Sequence, residues 1–220
     1  MKKIALSSVL LSITLFANGQ FAIGPKVGLG VSNMKENGEG ATNYPKWNYS
    51  PTLGLDTKTS LGEVFYIQAA LQVTMMGYRT ENNGVKNTTY LGYLQIPVKL
   101  NVQYKVSPKV YVGFGVGPYF GYYVGGAAKD NSVPNSDGYR IKSKNTVSKA
   151  DQRSAERVGY VKPLDWGIVA APFVQIGCLQ IAPTVTVGMM NTNPYAERGF
   201  TLTQKNLYYG LQFSFLIGDK

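Results

Sequence analysis

The chain has no histidine and a single cysteine among its 220 residues. Without imidazole, no Ser–His or Cys–His nucleophile pair, Asp–His dyad or imidazole metal site can be assembled. Cys178 has no second thiol for an internal disulfide, so no covalent staple holds the fold. With no basic partner it reads as an apolar filler. Charged residues make up 15 % of the chain, and acidic ones are scarce, 12 against 22 Lys and Arg. No apolar run reaches the roughly 20 residues that a membrane-spanning helix needs. Beyond residue 19, no stretch sustains a 3.6-residue hydrophobic period. Most hydrolytic mechanisms are closed by these exclusions, while carboxylate-only chemistry remains open. No catalytic residue, cofactor site or metal site is expected, and the chain is read as not an enzyme.

What is present begins with a basic Met1-Lys2-Lys3 and an apolar stretch from Ile4 to Phe16. Ala17 and Gly19 then supply the small residues at −3 and −1 that a signal peptidase requires. A cleaved export signal is expected over 1–19, leaving a domain over 20–220. With no Cys beside the cleavage site, a lipoprotein is not expected. Removing Lys2 and Lys3 leaves 20 basic against 12 acidic residues, a net +8. An exported basic chain suits anionic lipid heads and sugars, and export argues against nucleic acid as a partner.

Period-two alternation recurs throughout the rest. Val110, Val112, Phe114, Val116, Pro118, Phe120 and Tyr122 alternate with Tyr111, Gly113, Gly115, Gly117, Tyr119, Gly121 and Tyr123. Seven further stretches do the same, near 25–32, 49–56, 65–75, 94–103, 166–176, 179–189 and 206–217. A soluble sandwich would also alternate, but its polar face would be charged. Here that face is rich in Gly, Gln, Asn, Thr and Tyr. Strands of about ten residues match a tilted bilayer crossing, and an even number closes into a ring. The expected fold is therefore all-β: an eight-stranded antiparallel up-and-down transmembrane β-barrel of the outer-membrane type. Short connections at 58–63, 107–109 and 177–178 alternate with longer ones at 33–48, 80–89, 125–163 and 192–204. That asymmetry puts both termini on the short-turn, periplasmic side of a bacterial outer membrane.

The glycines at 113, 115 and 117 resemble a nucleotide-binding loop, but that motif needs a strand-to-helix junction, and here glycine parity runs on along a strand. A narrow barrel needs small residues opposite large ones, so these glycines are expected to make room for inward Tyr66, Gln95 and Gln103. Trp47, Tyr49, Tyr90, Tyr122, Tyr160 and Trp166 on the loop side, with Phe65, Tyr104, Phe213 and Phe215 on the turn side, are candidates for interfacial aromatic belts. Inward charges are few: Lys26, Asp56, Lys99 and Asp165. Lys26 and Asp56 lie low on adjacent strands and form a candidate lumen charge pair.

The long 125–163 connection carries eight basic against four acidic residues, a net +4. A short helix is expected over 146–158 with Thr146 as N-cap. Arg140, Lys142, Lys144, Lys149, Arg153 and Arg157 are candidate contacts for phosphorylated lipopolysaccharide or for a partner protein.

The stretches QFAIGPKVGLG (20–30) and YLGYLQIPVKLNVQY (90–104) resemble the PorT-type family of outer-membrane β-barrels. Gly24-Pro25-Lys26-Val27-Gly28 follows that family's Gly-x-Lys-x-Gly opening strand. Tyr93-Leu94-Gln95-Ile96-Pro97 follows its Tyr-Leu-x-Ile-Pro strand, with Gln95 where Glu is frequent. Barrels often end on an aromatic, whereas here Phe215 is followed by Leu-Ile-Gly-Asp-Lys. The resemblance implies an outer-membrane barrel with a structural or protein-export accessory role and, for the founding type, participation in type IX secretion alongside other envelope proteins. The alternatives left open are a narrow small-solute channel and a surface-binding or adhesion barrel.

Overall fold

A computed structural model of the chain describes residues 20–38, 46–82, 85–129, 138–145, 147, 159–195 and 202–218. The expected export signal lies outside these residues. So do Lys149, Arg153, Arg157 and all but Val147 of the segment expected to be a short helix.

The alternating stretches form strands. In chain order they are β1 (Phe21–Asn37), β2 (Asn48–Tyr49), β3 (Thr52–Ser60), β4 (Phe65–Asn82), β5 (Val85–Ser107), β6 (Val110–Lys129), β7 (Tyr139–Ser143), β8 (Gly159–Val161), β9 (Leu164–Ile176), β10 (Leu179–Gly188), β11 (Thr203–Phe215) and β12 (Ile217–Gly218). Eight of them close a ring, β1-β3-β4-β5-β6-β9-β10-β11 and back to β1. Every ring pair is antiparallel. Consecutive ring strands are sequence neighbours except at the β1–β11 closure, which makes this an up-and-down barrel. The remaining four strands extend it. β2 and β12 pair with β1, β7 adds to the loop-side end of β6, and β8 lies parallel to β7.

The usual burial order is inverted. Val27, Leu29, Leu53, Leu55, Phe114 and Phe120 are exposed, with Leu53 at 66 %. Lys26, Asp56, Gln68, Gln95, Asn101 and Gln180 are buried. A continuous apolar exterior around a polar interior is stable where the surrounding solvent is hydrocarbon.

Six of the eight ring strands are longer than the expected ten residues. β4 spans 18 and β5 spans 23, and they pair down to Asn82 opposite Val85. The stretch at 80–89, expected as a loop, is therefore mostly hairpin. Likewise β1 runs on to Asn37, and β6 carries the barrel to Lys129, into the region expected as the long loop. The reason is physical. Apolar alternation marks only the part of a strand that faces lipid. Backbone pairing continues past it with Arg79, Glu81 and Lys86 exposed to water.

A bulge explains the glycine pair at 125–126. Gly92 faces Gly125 while Tyr93 faces Tyr123, which leaves Val124 without a partner. One extra residue reverses the facing of everything beyond it. Tyr123 is inward before the bulge and Ala128 is inward after it.

The other glycines serve packing, and the side chains nearest them are not those expected. A Cβ on Gly113 would lie 2.4 Å from the Phe173 ring, and one on Gly115 would lie 2.0 Å from Asn101 Oδ1. At Gly117 it would meet the Val98 carbonyl oxygen at 1.9 Å. Of the expected beneficiaries, Gln103 is the β5 partner of Gly113, although the Phe173 ring is the side chain nearest that glycine, and Gln95 faces Gly121 instead. The same device recurs under the tyrosines. The Tyr208 ring lies over Gly30 and Gly210, and that of Tyr119 over Gly167.

Two outcomes follow from this exterior and interior. Leu29→Arg, in the middle of the apolar band, is expected to destabilise the barrel by about 2–4 kcal/mol in lipid vesicles. Gly210→Val, which drives a side chain into Tyr208, is expected to cost about 1–3 kcal/mol. Urea midpoints read both; an unchanged midpoint for Leu29→Arg would mean that this face is not in lipid.

Candidate functional site

With the exterior given over to lipid, the chemistry-bearing side chains concentrate in the lumen and at its two mouths. Lys26 projects inward from β1 and Asp56 from β3, two residues apart diagonally in the β1–β3 register, where Gly24 faces Asp56 and Lys26 faces Gly54. Lys26 Nζ stands 3.6 Å from Asp56 Oδ2, and both residues are almost fully enclosed, at 2 % and 0 % exposure. Gln68 Nε2 and Ser214 Oγ each donate to the same oxygen at 2.7 Å. Gln68 Oε1 in turn accepts from Asn101 Nδ2 at 2.6 Å and from Gln180 Nε2 at 3.3 Å. Side chains from β1, β3, β4, β5, β10 and β11 thus meet in one network across the lumen. Burying a charge is tolerable when it is paired and hydrogen-bonded, and this carboxylate has both kinds of partner.

A second carboxylate, Asp165 on β9, lies toward the loops. Tyr119 OH and Asn206 Nδ2 donate to its Oδ2 at 2.9 and 2.8 Å. Above it the lumen turns apolar. Met34, Met76, Leu91, Tyr93, Tyr123, Val161 and Tyr208 form one buried cluster, with Tyr78 and Ile141 packed against it. Tyr93 is fully enclosed and meets Tyr123 edge-on at 5.8 Å between ring centroids. Ile141 and Val161 come from β7 and β8, so the outermost strands help to plug the loop-side end.

Cavities flank this filling at both ends. One on the loop side, about 410 Å³, is lined by Tyr139, Tyr160, Asn193 and Gln204 among others. The turn-side one, about 600 Å³, reaches Lys58, Tyr66, Gln103 and Gln175. Lys58 was expected at a turn. It instead continues β3 inward with 5 % exposure, and Nζ donates to Gln103 Oε1 and, at 2.7 Å, to Gln175 Oε1. Parity contains the signal that finds it. Leu53, Leu55 and Thr57 face out, so 58 must face in if the strand runs two residues further.

On the loop side, Arg140 and Lys142 are exposed on β7 and Lys144 is half-buried, its Nζ 5.8 Å over the Tyr160 ring. Tyr160 therefore belongs to the extension above the barrel rather than to a lipid-facing belt. Trp47 does sit on the exterior, edge-on to Tyr209 at 5.4 Å. Near the same end Lys46 pairs with Glu81 and holds its carboxyl below the usual carboxylate range.

The family model described as outer membrane protein beta-barrel domain matches residues 16–189. The chain belongs to that family. It is a β-barrel protein of the bacterial outer membrane. Among solved structures, this outer-membrane barrel is similar to the outer membrane protein OprG from Pseudomonas aeruginosa. The identity is 11 % and the TM-score 0.54, over 91 % of this chain and 97 % of that one. Ail, the attachment invasion locus protein of Yersinia pestis, aligns at 10 % identity and TM-score 0.41, over 90 % and 99 %. Neisserial surface protein A aligns at 8 % and 0.43, over 88 % and 97 %. No curated protein sequence matches the chain.

The Lys26–Asp56 geometry carries its own prediction. Lys26→Met removes one partner of an enclosed pair and is expected to destabilise by about 3–5 kcal/mol. Asp56→Asn is expected to cost less in the Lys26→Met background than by itself, because the carboxylate has already lost its nearest cation. A double-mutant cycle on urea midpoints reads the coupling, and additivity of the two losses would refute it.

Proposed function

We propose that this barrel acts through its surfaces rather than by conducting solutes, as a non-enzymatic structural or protein-export accessory of the outer membrane. One observation carries the reading. Between the two mouths the lumen is filled, first by the Asp56 network and then by the apolar cluster around Tyr93. An eight-stranded ring leaves room for side chains and little more. The missing histidine removes the commonest acid–base and nucleophile-activating partner, in line with a role other than catalysis.

In this reading residues 1–19 are a cleaved export signal and 20–220 the mature barrel, with both termini and the short turns in the periplasm. The loops then face outward. Arg140, Lys142 and Lys144, together with Lys149, Arg153 and Arg157, meet the phosphates of lipopolysaccharide or an envelope partner through charge attraction. The Gly24–Gly28 and Tyr93–Pro97 motifs, read as PorT-type, make protein export of the type IX kind the specific form of the accessory role.

Two measurements test this. Purified protein in planar bilayers is expected to give no discrete conductance steps; reproducible steps would replace this reading with the narrow small-solute channel. A strain lacking the protein is expected to retain secreted cargo in the periplasm. An unchanged surface and extracellular proteome would remove the export role and leave a structural or surface-binding barrel.

A further inference from the structure

Among the described residues, the turn-side cavity is lined by Lys58 and Lys109 and by no carboxylate. Lys58 Nζ stands at its inner end, 4.7 Å from the Tyr66 ring centroid and 5.3 Å from that of Phe173. An ammonium has three protons to donate, and two are engaged by the amide oxygens of Gln103 and Gln175. Gln175 is itself held by donating Nε2 to the Gly177 carbonyl at 3.0 Å. Among the described residues no carboxylate lies within 4.0 Å of Lys58.

The wider charge count points the same way. Lys26, Lys58 and Lys99 are all enclosed, Lys99 lies within electrostatic reach of the other two, and all three share a single carboxylate, Asp56. That carboxylate is engaged by Lys26, Gln68 and Ser214. Asp165 is committed to Tyr119 and Asn206. Enclosed positive charge in excess is costly unless an anion offsets it. Of the three lysines, Lys58 is the one that lines the turn-side cavity, and no Asp or Glu among the described residues lines it with Lys58. Its walls combine apolar Ala22, Pro108, Leu216 and Ile217 with polar Gln20 and a second cation, Lys109.

The geometry points to a binding site for an organic anion, a carboxylate carried on an apolar or aromatic body, with Lys58 as the residue that holds the carboxylate. The anion takes the free Lys58 proton, the rings of Tyr66 and Tyr111, which line the cavity, pack on the body, and the opening faces the turn side. A small monocarboxylate and the C-terminus of a peptide share this chemistry. The site goes beyond the accessory role and does not depend on whether the barrel conducts.

The single cysteine supplies the readout, because Cys178 lines the same cavity and is half-buried. The full chain in lipid nanodiscs is labelled with a maleimide in the presence of 3-phenylpropionate or its amide, and of the tripeptide Ala-Phe-Phe as free acid or C-terminal amide. Each acid that binds is expected to slow labelling saturably, and its amide is not. Protection by phenylpropionate alone identifies a small-molecule site, and protection by the tripeptide acid identifies a site for a chain terminus. Lys58→Met is expected to raise the half-protecting concentration at least about tenfold, equivalent to about 1.4 kcal/mol. Lys58→Arg is expected to retain protection. The acid–amide comparison uses the unaltered chain and decides the matter even where Lys58→Met fails to fold. Equal protection by acid and amide, full protection in folded Lys58→Met, or no protection up to about 10 mM, above the weak millimolar range, would each overturn the site.

Discussion

Everything else in this molecule depends on the pairing of β1 with β11. In hydrocarbon, each backbone N–H and C=O left without a partner costs several kcal/mol, so a sheet can cross only if it has no edge. Here the closure joins the first ring strand to the last, from Lys26 opposite Ser214 to Asn37 opposite Thr203. After the break at Leu216, whose side chain is buried, β12 still pairs with β1 at Ala22 and Ile23. The two ends of the described chain are thereby stitched into the same seam, and the ring itself has no edge strand to invite aggregation.

Closing the ring with eight strands sets the size of the lumen, and that size dictates what fills it. Large inward side chains fit where the neighbouring strand contributes glycine, as Tyr208 does over Gly30 and Gly210. The lower lumen is polar because those strands present only their non-lipid face there, and its Gln, Asn and Ser groups hydrogen-bond to one another and to Asp56 Oδ2. The upper lumen is apolar because β7 and β8 bring Ile141 and Val161 over the rim. The result is a filled centre between two open mouths.

The legible part of the fold was the part that lipid enforces. Alternation located the ring strands, and parity told which side of each faces inward, so Lys26, Asp56, Lys99 and Asp165 could be assigned to the interior. Strand ends were illegible for the same reason. Once Arg79, Glu81 and Lys86 rise into water, the outward residue no longer has to be apolar, and a paired strand reads as loop. Lys58 escaped notice because a lysine followed by Thr59 and Ser60 looks like a turn, although β3 keeps its register with β4 as far as Ser60 opposite Tyr66. The bulge at Val124 left only a faint trace, the glycine pair beside it.

The amino-acid sequence by itself determined that this protein is an eight-strand ring with apolar residues outward. A period of two and the demands of hydrocarbon suffice for that, and both act locally. Which inward side chains touch was decided only by the tertiary structure. The stagger between strands sets which residues meet across a lumen, and stagger is a property of the closed ring rather than of any strand. So Gly113, paired with Gln103 on β5, has the Phe173 ring of β9 as its nearest side chain, and Gln68 bridges Asp56, Asn101 and Gln180 from three other strands. Lys58 likewise finds its place only in the closed ring, between Gln103 of β5 and Gln175 of β9, residues far apart in the chain and brought together by the curvature of the barrel.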